Sequence, residues 1–127
     1  MAYSVLVVDD EPNIVLSLEF LMKQAGHAVR VARSGEQALA AVDAAKPDLM
    51  LLDIMMPPPD GYEVCRTIRN TPGIRDIPII MLTAKGRDDE RAQGIAVGAT
   101  DFITKPFSNR EVVERVGAIL SQGGSET

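Results

Sequence analysis

Five short apolar runs, separated by segments of helix length, limit what this chain can fold into more than any other feature. SVLVV (4–8), AVRVA (28–32), DLMLLD (48–53), IPIIMLT (77–83) and DFITK (101–105) read as strands. In VLVV and LMLL the apolar character is continuous rather than alternating. Such strands need cover on both faces, as in a parallel sheet flanked by helices. The intervening segments carry helix signals. Pro12 stands where a first helical turn tolerates proline. Ser34 with Gln37, and Ser108 with Glu111, have capping-box spacing. Val112, Val116, Ile119 and Leu120 share one helical face. Helices are expected over 12–25, 35–45, 61–71, 88–98 and 108–121. The pattern is β–α five times over. It predicts an α/β fold, a five-stranded parallel sheet doubly wound into a three-layer sandwich with right-handed crossovers. Residues 1–121 are expected to form one domain, with 122–127 a flexible polar tail or the start of a linker.

Composition narrows the function. A net charge of -5 argues against nucleic-acid binding by this chain alone. One cysteine, Cys65, leaves no internal disulfide and no cysteine-based zinc site, and it reads as core. No apolar stretch reaches membrane-spanning length and no signal-peptide pattern opens the chain, so a cytoplasmic location without a membrane partner is expected.

The chemistry lies at the strand ends. In an open α/β sheet, ligands bind beyond the carboxyl ends of the strands. The first strand ends in Asp9-Asp10-Glu11, the third in Asp53, the fourth in Thr83-Ala84 and the fifth in Lys105-Pro106. Asp9, Asp10, Asp53, Thr83 and Lys105 should therefore converge. Three carboxylates together repel and raise one another's pKa. A hard divalent cation and a lysine relieve that repulsion, and magnesium suits oxygen donors that leave room for water and phosphate. A carboxylate nucleophile, a metal, a lysine and a hydroxyl are the parts of a phosphoryl-transfer site. In LLDIMMPPPDGYE (51–63), Asp53 sits beside buried-type residues, a costly place for a charge without partners.

The segments VLVVDDEP, DLMLLDIMMP, DGYE, IPIIMLTA and GATDFITKPF, in this order, resemble the receiver domains of response regulators, the CheY-like, flavodoxin-like fold of two-component signalling. The likeness covers nearly the whole chain. It implies a phosphorelay switch rather than a turnover enzyme, its own magnesium-dependent phosphoryl transfer and autodephosphorylation aside. Asp53 would take its phosphoryl group from a sensor histidine kinase or phosphotransfer protein. Asp10, Asp53 and the backbone carbonyl of Met55 would ligate Mg2+, with Asp9 assisting through water. Thr83 and Phe102 would form a switch pair, and Lys105 would contact the phosphoryl group. A cis peptide is implied before Pro106. Met55 and Lys85 would flank the path of a hydrolytic water and set the lifetime of the phosphoryl group. Pro58 and Pro59 stand where the family has a variable pair; they read either as a brace for the loop or as neutral surface variation.

Residues 83–116 are similar to the OmpR/PhoB branch. There, the face made by the fourth helix, fifth strand and fifth helix pairs about a two-fold axis. Arg91 with Glu111 and Asp101 with Arg115 would match two cross-subunit pairs of a homodimer formed on activation, while Thr100 and Gln122 replace a third. Other classes fit less well. A haloacid-dehalogenase-like phosphatase needs its two aspartates two apart on the first strand, and Asp9 and Asp10 are adjacent. A flavin binder needs a phosphate-cradling loop where this chain has DDEPN.

Overall fold

A computed structural model describes residues 2–84 and 86–125. The chain runs β1 (Ser4–Val8), α1 (Pro12–Gln24), β2 (Ala28–Ala32), α2 (Gly35–Ala44), β3 (Leu49–Asp53), α3 (Gly61–Arg69), β4 (Ile79–Ala84), α4 (Asp88–Val97), β5 (Asp101–Lys105) and α5 (Asn109–Ser125). All strands pair in parallel, in the order β2-β1-β3-β4-β5. This is the expected three-layer α/β arrangement.

The continuous apolar runs explain the layers. Successive strand residues face opposite sides. Val5, Val7, Leu49, Leu51, Ile80, Leu82 and Ile103 pack with Leu18 and Met22 of α1 and Val112 and Val116 of α5. Leu6, Val8, Met50, Leu52, Ile79 and Met81 pack with Val42 of α2, Val64 and Ile68 of α3 and Val97 of α4. Helices α1 and α5 thus cover one face, and α2, α3 and α4 the other. Cys65 is fully buried in the second cluster, as expected.

Several boundaries shift by one or two residues from expectation, and the start of β4 and the end of α5 are the most telling. β4 begins at Ile79, not at Ile77. Pro78 has no N–H, and the N–H of Ile77 donates to the carbonyl of Ile74 at 3.2 Å, so neither donates to the ladder. α5 continues to Ser125, so the helical backbone covers 122–125, expected to be tail. Ser34 caps α2 by accepting the N–H of Gln37 at 3.1 Å, but the Gln37 side chain reaches back to the N–H of Arg33 rather than to Ser34. Peptide bonds before Pro59 and Pro106 are cis, the second as expected. Pro59 abuts the first residue of α2: a Cβ on Gly35 would collide with the Pro59 carbonyl and stand 2.7 Å from its ring. The proline loop is therefore packed on α2 at Pro59, while Pro57 and Pro58 are exposed. Among the described residues no helix is long and apolar enough to cross a membrane.

Candidate functional site

Strand order creates the site. β2 lies on one side of β1 and β3 on the other, so the winding reverses between β1 and β3. The helices that follow these two strands go to opposite faces and leave a cleft at their carboxyl ends. β1 stops at Val8, which delivers Asp9 and Asp10 to that cleft, and β3 ends on Asp53 itself. The start of α3 closes against the end of β3 because residue 61 is glycine. A Cβ there would strike the carbonyl oxygen of Asp53 and come within 2.7 Å of the Ile54 Cα. Asp60 caps that helix, accepting the Glu63 N–H at 3.0 Å.

Asp9 is fully buried, Asp53 is 5% exposed, and Asp10 is exposed. One oxygen from each lies within 4.8 Å of the others. Lys105, two strands away from Asp53, reaches across to both buried acids. Its Nζ donates to Asp9 Oδ2 at 2.9 Å and to Asp53 Oδ1 at 3.2 Å. Asp9 Oδ1 accepts the Glu11 N–H at 2.9 Å, so both Asp9 oxygens are engaged inside the protein.

The Asp53 carboxyl is pushed up to about 6, first by burial and then by the charge on Asp9; Lys105 pulls it back and Asp10 adds a smaller push. The Lys105 ammonium has the opposite balance. Burial works against its charge, but its hydrogen bond to Asp9 and the charges of Asp53 and Asp9 hold its pKa above the usual lysine value. One lysine against three acids leaves the cluster short of positive charge. The donors are all hard oxygens, so the residues fit a hard divalent cation.

A cleft of about 450 Å³ opens over this cluster, lined among others by Asp10, Ile14, Asp53, Met55, Ala84 and Lys105. Met55 is 66% exposed. Lys85, expected opposite it, lies outside the described residues. Thr83 is buried. Strand alternation continues from Ile79 and Met81 and puts Thr83 on the α4 face, one residue short of Ala84, which lines the cleft. Asp9, Asp10, Asp53 and Lys105 are thus brought together, and Thr83 lies buried on the α4 face of β4, next in sequence to Ala84.

Phe102, opposite Met81 in the β4–β5 ladder, is 7% exposed. It packs on α4, where a Cβ at Gly94 would come within 2.6 Å of its ring, and the Arg91 guanidinium lies over it at 5.3 Å from the centroid. Phe102, the expected switch partner of Thr83, is thus packed inside in the ligand-free chain. On the neighbouring face, Arg115 grips Asp101 with two bonds of 2.9 Å and Glu111 with one of 3.2 Å, all within one chain. Thr100 accepts the Ile79 N–H at 2.9 Å and a bond from Arg69 at 3.3 Å.

Glu90 and Gly61 escaped the sequence reading. Glu90 looks like part of an exposed acidic run, DDER, yet it is 3% exposed. Its spacing from Gly94 and Val97, four and then three residues, is the signal that places it on the buried side of α4.

A family model described as response regulator receiver domain matches residues 5–117. The chain is 46% identical over 120 residues to the alkaline phosphatase synthesis transcriptional regulatory protein PhoP of Bacillus subtilis, covering 94% of this chain and 49% of that one. It is 46% identical over 121 residues to the phosphate regulon transcriptional regulatory protein PhoB of Pseudomonas aeruginosa, covering 95% and 53%. The chain spans about half the length of these curated relatives. Its fold matches the solved chemotaxis response regulator CheY4 of Vibrio cholerae with a TM-score of 0.88 at 30% identity, covering 94% of this chain and 99% of that one.

Proposed function

The chain belongs to the response regulator receiver domain family, and on that premise we propose that it is a phosphoryl-accepting switch whose acceptor is Asp53. The donor is a sensor histidine kinase or a phosphotransfer protein, and the place of action is the cytoplasm. The observation that carries this reading is the setting of Asp53: buried, held by Lys105, and open to a cleft large enough for a phosphoryl group. Attack by an Asp53 oxygen on the phosphorus of a phosphohistidine forms the acyl–phosphate C–O–P linkage. The N–P bond breaks, and its electron pair stays on the imidazole nitrogen. Lys105, already bonded to the acceptor, offers its charge to the incoming phosphoryl oxygens. Asp10, Asp53 and the backbone carbonyl of Met55 would hold Mg2+, with Asp9 assisting through water; bound there, it supplies positive charge that offsets the acids and the phosphoryl group.

The protein is a switch, and its own phosphorylation and dephosphorylation are its chemistry. Met55, which has no group to orient a water, favours a long-lived phosphoryl group; Lys85 is assigned the same role from its place in the sequence. Thr83, buried on the α4 face of β4 beside the cleft-lining Ala84, would approach the phosphoryl group with the β4–α4 junction. Phe102, buried beneath Arg91 and against Gly94 of α4, would report that movement by repacking in place. Two exposed apolar side chains, Leu16 and Phe20, stand one turn apart on α1, whose Ile14 lines the cleft. They offer a landing surface to the partner that delivers the group. The α4–β5–α5 face then passes the change on, as a homodimer.

Incubation with acetyl phosphate and magnesium, read by intact mass, tests the reading. One phosphoryl adduct is expected in the wild type and none in Asp53→Asn or with excess chelator. An adduct that persists in Asp53→Asn would sink it.

A further inference from the structure

Glu90 is a buried acid, and only one of its two side-chain oxygens is hydrogen-bonded. Its Oε1 accepts the N–H of Ala84 at 2.9 Å. Its Oε2 is buried without a hydrogen bond, and Arg87 approaches it only to 3.9 Å. Arg87 is itself half exposed and bonded to Asp89 at 2.8 Å and 3.0 Å. The main-chain carbonyl of Glu90 accepts the Tyr62 hydroxyl at 3.3 Å. One residue of α4 is therefore tied to α3 through its backbone and to the end of β4 through its side chain.

A carboxylate is an expensive way to fill this space. Burying an acceptor without a donor costs free energy, and an apolar residue of similar size would avoid that cost. What only the acid (or its amide) can do here is hold the Ala84 N–H. Ala84 lines the cleft with Asp53 and Lys105 and directly follows Thr83. Fixing its N–H fixes the peptide plane that joins Thr83 to Ala84, and so constrains the position of Thr83.

We propose that Glu90 is a positioning residue of the acceptor site: a latch on the Thr83–Ala84 peptide that holds the ligand-free β4–α4 junction and releases it when the cleft is filled. The inference rests on the acceptor reading above. A phosphoryl group brings strong acceptor oxygens next to this junction. As the junction moves, Oε1 loses Ala84, and Arg87 is near enough to close on the freed carboxylate. A carboxylate with one oxygen unpaired can take a new partner when its bond to Ala84 is lost.

Two variants and one wild-type signal test the latch. Glu90→Leu removes both oxygens and keeps apolar bulk; Glu90→Gln keeps an acceptor. Amide hydrogen exchange at Ala84 is followed by NMR without ligand, and beryllofluoride affinity is measured with magnesium. In Glu90→Leu the Ala84 amide should exchange about tenfold faster or more, since its partner is gone. Beryllofluoride should bind roughly fivefold tighter or more, because it no longer breaks the latch. Glu90→Gln should stay within about twofold of wild type in both. Unchanged Ala84 exchange in a folded Glu90→Leu, or affinity equal to or weaker than wild type, overturns the proposal. Should that variant not fold, the side-chain carboxyl ¹³C resonance of Glu90 in the wild type decides. It should shift when beryllofluoride binds, and a fixed resonance overturns the latch. A wild type that binds no beryllofluoride overturns the acceptor reading instead, whereas Ala84 protection is judged without any ligand.

Discussion

At Asp53 the protein keeps a carboxylate where water is largely excluded, and the cost should be measurable. The carboxyl is pushed from 3.8 to about 6, so in this window the folded form holds a proton that the unfolded chain has released. Stability therefore falls as pH rises through the window, and above about 6 the whole cost is present. Without metal, Asp53→Asn should be more stable than wild type at neutral pH, by on the order of 1 kcal/mol once solvent screening is allowed for, and the gain should vanish in acid below the unfolded carboxyl value. Urea unfolding in chelator across that pH range measures it; a gain that is absent at neutral pH, or the same at both ends, contradicts the burial argument. Asp9, Asp10, Asp53 and Lys105 were legible in the sequence because each ends a strand, and parallel strands collect their ends. Thr83 was only half legible. Its strand end was clear, but the alternation that turns its side chain to the α4 face depends on the register of β4. Glu90 was hidden because a charged run ordinarily means a solvated face.

The elements were legible where hydrophobic continuity was strongest and less so where single backbone contacts decided. All five strands and five helices stand in the expected order. The ends moved: β4 starts late because Pro78 cannot donate, and α5 runs on through two glycines that read as a break. The contact of α3 with β3 depends on one missing side chain, at Gly61, and spacing alone does not reveal it. Gly61→Ala should therefore cost about 1–3 kcal/mol as an overpacked contact against backbone. It should also slow phosphorylation, because the clash falls on the Asp53 main chain. Denaturant unfolding together with the acetyl phosphate rate checks both; a stable variant with a wild-type rate would show that the two elements can part without consequence.

For the whole molecule, the proposed output is association through α4, β5 and α5. Ile95 on α4 is 66% exposed and Val113 on α5 is 37% exposed, so apolar area is available beside the charges. The Arg115–Asp101 and Arg115–Glu111 pairs are already closed within the chain and must be exchanged or shared across a two-fold axis. Exposed pairs are worth about 0.2–1 kcal/mol each, so they would set register more than affinity. Light scattering should show a monomer that dimerises with beryllofluoride. Arg115→Asp should abolish the dimer, and adding Asp101→Arg should restore part of it. A chain that stays monomeric when activated leaves a CheY-like single carrier. All of this depends on one chemical event at one residue, and reduction with borohydride after phosphorylation locates it most directly. The acyl phosphate is converted to homoserine at the acceptor, and peptide mass spectrometry reads where. The account predicts homoserine at position 53 alone and only when magnesium is present. Homoserine at position 9 or 10, or none anywhere after phosphorylation, would contradict it.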